Sequence, residues 1–563
     1  MMEAEENFRK KLSKQSKTLA QAVSEYKRRY HRDPPRGFDQ WWDFVQKNGF
    51  KLVDEFDGVV EDLAPFWELS GEELRRRALQ VGLLPSIDLV RVENGKAEAV
   101  NMYKGSDQPE VSARAKGFLE MIEKFQDRLP DMDFPINAKS EGRILVPWEH
   151  RKYQNITIQD SSEGIERMLG GPFKPDWQGE GNVWDAFRRT CPPASSARRL
   201  FASIRNTFTQ QVRNFLAPTA ISAAGDDFNF SDGTEATYDF CSEPWAHTEH
   251  GHFFSDWRTI PVLYPVFSPG KAPGFLDIRI PSHYYYGSTP RYTYGWDAVN
   301  LELKNVDDSE VPWEEKDEHI FWRGATTGGG NSPQGFASHY QRHRFVRMAS
   351  DDSDANRTVT FADPPNAASY LSTDVSLAAL NDETMDVAFV SAVDPQNYPG
   401  GLDAMTRVHR FADPVMLGHW WKYKYLLDLD GNGYSGRFMA FMASDSAVVK
   451  SSVYKEYYAD WIEPWLHYIP LSSSYKEIYN IHAFFSGPTS STLLAANASA
   501  LTLPPSERRV IDGDRRLRRI ARAGKQWKKT IARQVDMEVY VYRLALEYAR
   551  LRADDRDSMS FKL

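Results

Sequence analysis

The stretch KYKYLLDLDGNGYSGRFMAFMASDSAVVK, residues 422–450, decides how the chain is read, because its acidic turn fits either a calcium loop or the mouth of a phosphate site. Asp428, Asp430, Asn432 and Gly433 satisfy the opening of an EF-hand, whose side-chain oxygens and tight glycine turn wrap a hard cation. The twelfth position ends that reading: it holds Met439 where a bidentate Glu belongs, and the incoming KYLLDLD is strand-like where an EF-hand has a long helix. What remains is an apolar strand, a Gly-rich turn, the helix-forming SGRFMAFMAS and the apolar run AVV. Strand, turn and helix start in that order bring backbone N–H groups and the positive end of a helix dipole to one point, where phosphate is attracted. Arg437, in the expected first turn of that helix, adds a guanidinium able to fork two phosphate oxygens. The alternative is that Arg437 caps a local carboxylate and the glycines only turn the chain.

Around this unit, HIFWRG, TVTFAD, MDVAFVS, KYLLDLD, AVV and LHYIPL alternate with helical patterns, which predicts a parallel, doubly wound sheet. Upstream, LVRVENGKAEAV is two alternating runs joined by Asn94-Gly95, a strong hairpin signal. FPINAKSEGRILVPWE and IPVLYPVFSPGKAPGFLDIRIPSHYYYG then alternate apolar strands with Pro/Gly loops. The charged ELKNVDDSEVPWEEKDE, ending at Glu318, reads as a linker between two domains. Short helices are expected from residue 38, preceded by a polar, solvated helical entry that has the character of a stem. A long helix is expected beyond Pro505. Its basic run RRLRRIARAGKQWKKTIARQ carries Leu517, Ile520, Trp527, Ile531 and Val535 at helical spacing, an apolar stripe under a solvated basic face.

A chain of 563 residues exceeds what one core usually supports. Its net charge of −9 argues against nucleic-acid binding, which depends on a basic surface. Cys191 and Cys241 are its only cysteines, leaving room for one bridge and none for a Cys-rich zinc motif. His247, His250 and His252 lack the accompanying ligands of a metal site. No signal peptide or membrane-length apolar run is present, and the sequons at Asn155, Asn229, Asn356 and Asn497 are compatible with a secretory route.

FWRGATTGGG (321–330), the 422–450 stretch, WIEPWLHYIPL (461–471) and DMEVYVYRLALEYARL (536–551) resemble, in order, the blocks of glycosyltransferase family 90, the fungal capsule-associated and animal protein O-glucosyl/O-xylosyltransferase group. YKRRYHRDPPRGFDQWWDF (26–44) and DLAPFWELS (62–70) resemble its fungal branch. The resemblance implies an α/β, GT-B-like architecture: two Rossmann-like domains facing a cleft, with an N-terminal helical region and a long C-terminal helix. The expected divisions are a helical stem over 1–85, an acceptor-side domain over 86–310, a UDP-sugar-binding domain over 311–505, and a C-terminal helix over 506–563 packing back on both.

The activity so implied is inverting transfer of glucose or xylose from a UDP-sugar to a hydroxyl of a glycan or glycoprotein. No metal or cofactor is implied; the setting is the Golgi or secretory pathway, with membrane contact only through an anchor absent from this sequence. By resemblance the donor side comprises Arg323, Gly324, Thr326, Thr327, Gly433, Tyr434, Ser435, Gly436 and Arg437, with Gly328 to Gly330 letting backbone come close to the donor. Asp277, Pro281 and Tyr285 face the acceptor. Fixed donors aimed at the leaving diphosphate would do the work of a metal ion.

The family's catalytic aspartate falls at Ser140, which cannot take a proton from the acceptor. Glu141 replaces it if residues 140–142 form a turn; Asp133, with Asp131 beside it, is the other carboxylate within the segment. Two alternatives remain: a weak or inactive UDP-sugar-binding relative, and a metal-dependent transferase using DMD at 131–133 or DLD at 428–430.

Overall fold

The computed structural model describes residues 1–102, 113–152, 183–199, 230–233, 239–256, 258–286, 310–332, 334–504 and 511–563, with the strand pair 296–297 and 302–303. Asn155, Asn229 and residues 304–309 of the expected linker lie outside the described residues.

The fold is α/β, with two five-stranded sheets. The first contains β1 (Ile87–Glu93), β2 (Lys96–Asn101), β3 (Met132–Asn137), β4 (Phe267–Ser268) and β6 (Ile278–Arg279), in the order β2-β1-β3-β4-β6. It is mixed: β1 runs antiparallel to both β2 and β3, while β3, β4 and β6 are parallel. Asn94 (φ 51°) and Gly95 (φ 75°) both adopt left-handed backbone and close the β1–β2 hairpin, as a two-residue turn that matches strand twist requires. β5 (Gly270–Lys271) follows β4, and β7 (Trp296–Asp297) pairs with β8 (Glu302–Leu303).

The second sheet holds β9 (Asp317–Ala325), β12 (Met385–Ser391), β13 (Tyr423–Leu429), β14 (Ala447–Ser451) and β16 (Ile469–Pro470), in the order β12-β9-β13-β14-β16, parallel throughout. β14 is buried along its length and β13 beyond its first residue, as in a sheet covered on both faces. The TVTFAD run departs from expectation. It lies in β10 (Asn356–Ala362), which pairs antiparallel with β11 (Tyr370–Ser376) as a separate hairpin against helices Ile478–Ser486 and Ser490–Ala496. The expected linker is also partly structural: Trp313 and Lys316 are buried, and β9 already begins at Asp317.

One continuous apolar cluster runs through both sheets and the terminal helices. β15 (Lys455–Glu456) pairs with β5, a direct backbone tie between the halves. The N-terminal helix is largely solvated, as expected, but anchored at single points: Phe8 sets its ring 4.5 Å from His467, and Lys11 donates to the Asp460 carbonyl at 3.1 Å. The expected single C-terminal helix is two, Ile511–Thr530 and Gln534–Leu551. The break is stabilised by Asp536, which accepts from the Arg533 N–H at 2.9 Å and from its guanidinium at 2.7 Å. The second helix is buried all round from Asp536 onward and packs on helices Phe38–Asn48 and Ala113–Ile122. Cys191 and Cys241 form a disulfide.

The helix Asp57–Leu63 is held to the first sheet by Asp62, whose carboxylate accepts from the Arg279 N–H at 2.9 Å and Nε at 2.7 Å, and also meets Lys271. Both Asp62 and Arg279 are nearly fully buried. Asp62→Ala takes from the buried Arg279 its closest carboxylate and leaves the exposed Glu61, at 3.4 Å, as a weaker counter-charge. It is expected to cost about 3–5 kcal/mol in urea unfolding at neutral pH.

Candidate active site

Loops gather at the carboxyl ends of strands in open α/β sheets, and ligands bind there. Here the bend 138–142 follows β3, the loop 326–332 follows β9, the turn 430–437 follows β13, and residues 452–454 follow β14. A fifth segment, 250–256, comes from the first half of the chain.

Asp430 joins them. Its fully buried carboxylate accepts from Ser452 Oγ at 2.6 Å, the Val453 N–H at 2.9 Å and His250 Nε2 at 3.2 Å. Its carbonyl accepts from Gln341 Nε2 at 3.1 Å and Arg342 Nε at 2.9 Å. Gln341 reaches across to accept the Gly251 N–H at 2.9 Å, and Arg342 donates to Thr327 Oγ1 at 2.6 Å.

The glycines serve these crossings. A Cβ on Gly433 would stand 2.2 Å from the Ser140 carbonyl oxygen, one on Gly251 would stand 1.5 Å from that of Gly328, and one on Gly330 would stand 2.2 Å from the Asp256 nitrogen. The Gly328 to Gly330 run therefore lets backbone meet the 251–256 segment, where the sequence suggested an approach to the donor. The Gly433 contact sets the bend after β3 directly against the turn after β13.

In that turn, Ser435 donates its hydroxyl to Asp428 Oδ1 at 2.5 Å, and Lys450 donates to Asp428 Oδ2 at 2.6 Å. Tyr434 and Ser282 share a hydroxyl contact of 2.5 Å, and Tyr285 donates to the Ser435 carbonyl at 2.7 Å. Tyr285 and the buried Pro281–Ser282 step thus adjoin the turn. Gly436 is buried within it. The helix that follows spans only Phe438–Phe441, so its dipole is smaller than the sequence suggested; Arg437 occupies its N-cap position. The Arg437 guanidinium lies 5.7 Å from the Trp420 ring and 5.9 Å from that of Trp322, beside Gly324.

Arg323 is placed differently. Its guanidinium donates to the Asp386 carboxylate and carbonyl, both at 2.7 Å, near the amino end of β12. Burial raises the Asp386 carboxyl pKa, yet Arg323 and Tyr423 hold it below the usual range. Thr326 Oγ1 accepts the Val393 N–H at 2.8 Å and Thr327 faces Arg342. Asp277 is fully buried and braces backbone, accepting the N–H groups of Arg143 at 3.1 Å and Ile144 at 3.0 Å and the Ser268 hydroxyl at 2.6 Å.

Ser140 and Glu141 lie in a bend, the condition under which Glu141 can stand in for the residue at 140. Ser140 Oγ accepts from Arg114 Nη2 at 3.2 Å. Glu141 is buried, and no other side chain among the described residues hydrogen-bonds its carboxylate. Burial pushes its pKa up and Asp256 adds to the shift, against its own N–H and the guanidinium groups of Arg114 and Arg143. Asp133 instead sits at the far end of β3, paired with Arg91 at 2.7 Å and Arg552 at 3.6 Å; Asp131 caps the hairpin by accepting the Asn94 N–H at 2.8 Å. Four residues here were not singled out from sequence: Asp256, which accepts the Asn331 N–H at 2.7 Å, with Arg342, Gln341 and Lys450. Only the position of Gln341–Arg342 at a helix start after a Gly-rich loop signalled any of them.

The parallel sheet, with its loops gathered at the strand ends, defines a class of α/β enzyme folds, and residues 252–485 match a glycosyltransferase within it. The matching family is described as glycosyl transferase family 90, and the match covers less than half of the chain. The chain is similar to O-glucosyltransferase rumi of Drosophila melanogaster, 24% identical over 230 residues, which are 39% of this chain and 45% of the relative. It is also similar to protein O-glucosyltransferase 2 of Danio rerio, 26% identical over 139 residues, 24% of this chain and 23% of the relative. The chain thus spans less than half the length of either relative.

The raised pKa of Glu141 gives a signed expectation for stability. The unfolded chain releases this proton near 4.5, the folded protein only at higher pH, so between the two the folded state holds the extra proton and rising pH favours unfolding. Stability from Glu141 is therefore full below 4.5 and lost as pH climbs through its folded pKa. Thermal melts of wild type and Glu141→Gln should accordingly diverge in favour of the variant as pH rises.

Proposed function

We propose that this chain is a GT-B-like inverting glycosyltransferase that moves glucose from UDP-glucose to a hydroxyl of a glycoprotein or glycan. The observation that carries the reading is the backbone contact of Gly433 on Ser140, which sets a buried carboxylate beside a Gly-rich turn bearing Arg437. The second sheet supplies the donor side and the first the acceptor side. Glucose is preferred to xylose because both relatives are named O-glucosyltransferases.

In this mechanism the acceptor hydroxyl attacks the anomeric carbon from the face opposite the diphosphate. Its proton passes to the Glu141 carboxylate as the C–O bond forms, and the bond to the diphosphate breaks with inversion. Negative charge grows on the leaving UDP, where Arg437 and turn N–H groups stabilise it. The carboxylates of the DLD stretch support a mechanism without a metal ion, since they accept from Ser435, Lys450, Ser452, Val453 and His250. The disulfide favours an oxidising, secretory compartment. A second reading, a UDP-sugar binder of little activity, is favoured by one observation: Glu141 is only 7% exposed.

Glu141→Gln separates the two readings. UDP release from UDP-glucose in the presence of an acceptor glycan should fall roughly 10²- to 10⁴-fold while UDP affinity stays unchanged, and wild-type turnover should persist in excess EDTA. Unchanged turnover in the variant would remove Glu141 from the chemistry; loss on chelation, restored by manganese, would revive a metal-dependent route.

Arg437→Ala is expected to weaken UDP binding by about 1.5–3 kcal/mol, the worth of a charge-assisted contact, by calorimetry. Its thermal midpoint should change little, because the side chain is half-buried over two rings rather than locked in the core.

A further inference from the structure

The donor turn carries a charge problem. It is built on Asp428, whose nearly fully buried carboxylate is bonded to Ser435 inside the turn, and Asp430 stands two residues away. Carboxylates fixed under a diphosphate site repel the ligand through a low-dielectric medium where screening is weak.

Lys450 faces this point from the neighbouring strand. It is the register partner of Asp428 across the β13–β14 pair, and its ammonium lies 2.6 Å from Asp428 Oδ2, 4.3 Å from the Phe438 ring centroid and 3.9 Å from Glu456 Oε1. Glu456 sits on β15 and accepts from the Tyr458 hydroxyl at 2.6 Å. The ammonium therefore touches the strand entering the turn, the helix leaving it and the strand tying the two halves together.

We infer that Lys450 is a positioning residue of the donor turn: by compensating Asp428 it keeps Ser435 anchored while leaving the turn able to hold an anionic diphosphate. This role rests on the donor-site reading above. Asp428 in turn orients Ser435, whose hydroxyl hydrogen is committed to that carboxylate, so Ser435 shapes the turn rather than donating to the ligand. Burial pushes the Lys450 pKa down, but the facing carboxylates of Asp428, Glu456 and Asp430 outweigh it and keep the ammonium protonated. Burial likewise raises Glu456 to about 7, which limits the excess negative charge in the cluster.

Charge compensation and a merely structural role differ in sign at Asp428. Asp428→Asn keeps the side chain's shape and leaves Lys450 in excess, so UDP should bind roughly 3- to 10-fold tighter than to wild type. Lys450→Met leaves Asp428 uncompensated, and UDP should bind at least about tenfold more weakly. Uridine, which lacks the diphosphate, should respond to either change by less than about twofold. Should Lys450→Met fail to fold, Asp428→Asn and the Asp428→Asn/Lys450→Met double variant still decide the matter; the double variant should bind UDP within about threefold of wild type. Calorimetry with UDP and competition with uridine read all four proteins. Parallel losses of UDP and uridine affinity in Asp428→Asn would make the pair structural and overturn the inference. Wild-type protein with no preference for UDP over uridine would remove the donor-site reading itself, and this role with it.

Discussion

The buried carboxylate of Asp430 is the constraint on which the site depends. An ionised group without solvent must have every lone pair answered, and here the donors come from Ser452, the Val453 N–H and His250. Two of these follow β14 and one belongs to the first half of the chain. The same residue's carbonyl holds Gln341 and Arg342, at the start of the helix that follows the Gly-rich loop. One residue thereby fixes three segments relative to β13. Removing any of its partners leaves a buried polar group exposed to the desolvation cost that the others now offset.

The halves meet through backbone as much as through side chains. Where main chains cross this closely, no side chain fits between them, and glycine becomes a packing requirement rather than a source of flexibility. Gly433 on Ser140 and Gly251 on Gly328 are such crossings, and both bring the first half of the chain onto the second. The β5–β15 pairing adds a third link, ending at Glu456 beside Lys450. The bend carrying Glu141 and the turn carrying Arg437 consequently share one frame. Their relative position is set by contacts that involve neither side chain.

The strands of the second half were legible because a parallel, two-face-buried strand writes its apolar run plainly, as MDVAFVS, KYLLDLD and AVV do. The Asn94-Gly95 hairpin was legible because left-handed backbone at both positions admits few residues. TVTFAD was misleading: its alternation suits any half-covered strand, and only the neighbouring β11 decides which sheet it joins. The C-terminal break was hidden because the apolar spacing of Trp527, Ile531 and Val535 continues across it, while the stop is made by the Arg533–Asp536 cap. At the site, sequence order picked out the turn and the bend. It could not show that Arg323 points toward Asp386, that Asp277 braces backbone, or that Asp133 pairs with Arg91, since each depends on partners distant in the chain.

The placing of cations around Trp322 shows why Gly324 matters although it carries no side chain. Trp322 is buried in β9, with the Arg342 guanidinium 5.5 Å from its ring and that of Arg437 5.9 Å away. A Cβ at Gly324 would stand 2.5 Å from the Trp322 ring and 3.2 Å from Arg437 Nη2. Any side chain there must displace the indole or the guanidinium, and β9 gives the indole little room because it is flanked by β12 and β13. The arginine would yield first. Arg437 would then leave the mouth of the turn while Arg342, tied to Asp430 and Thr327, stayed in place. Gly324 thus leaves the space in which the Arg437 guanidinium lies over the rings, while Arg323 is held by Asp386 and Arg342 by the Asp430 carbonyl and Thr327.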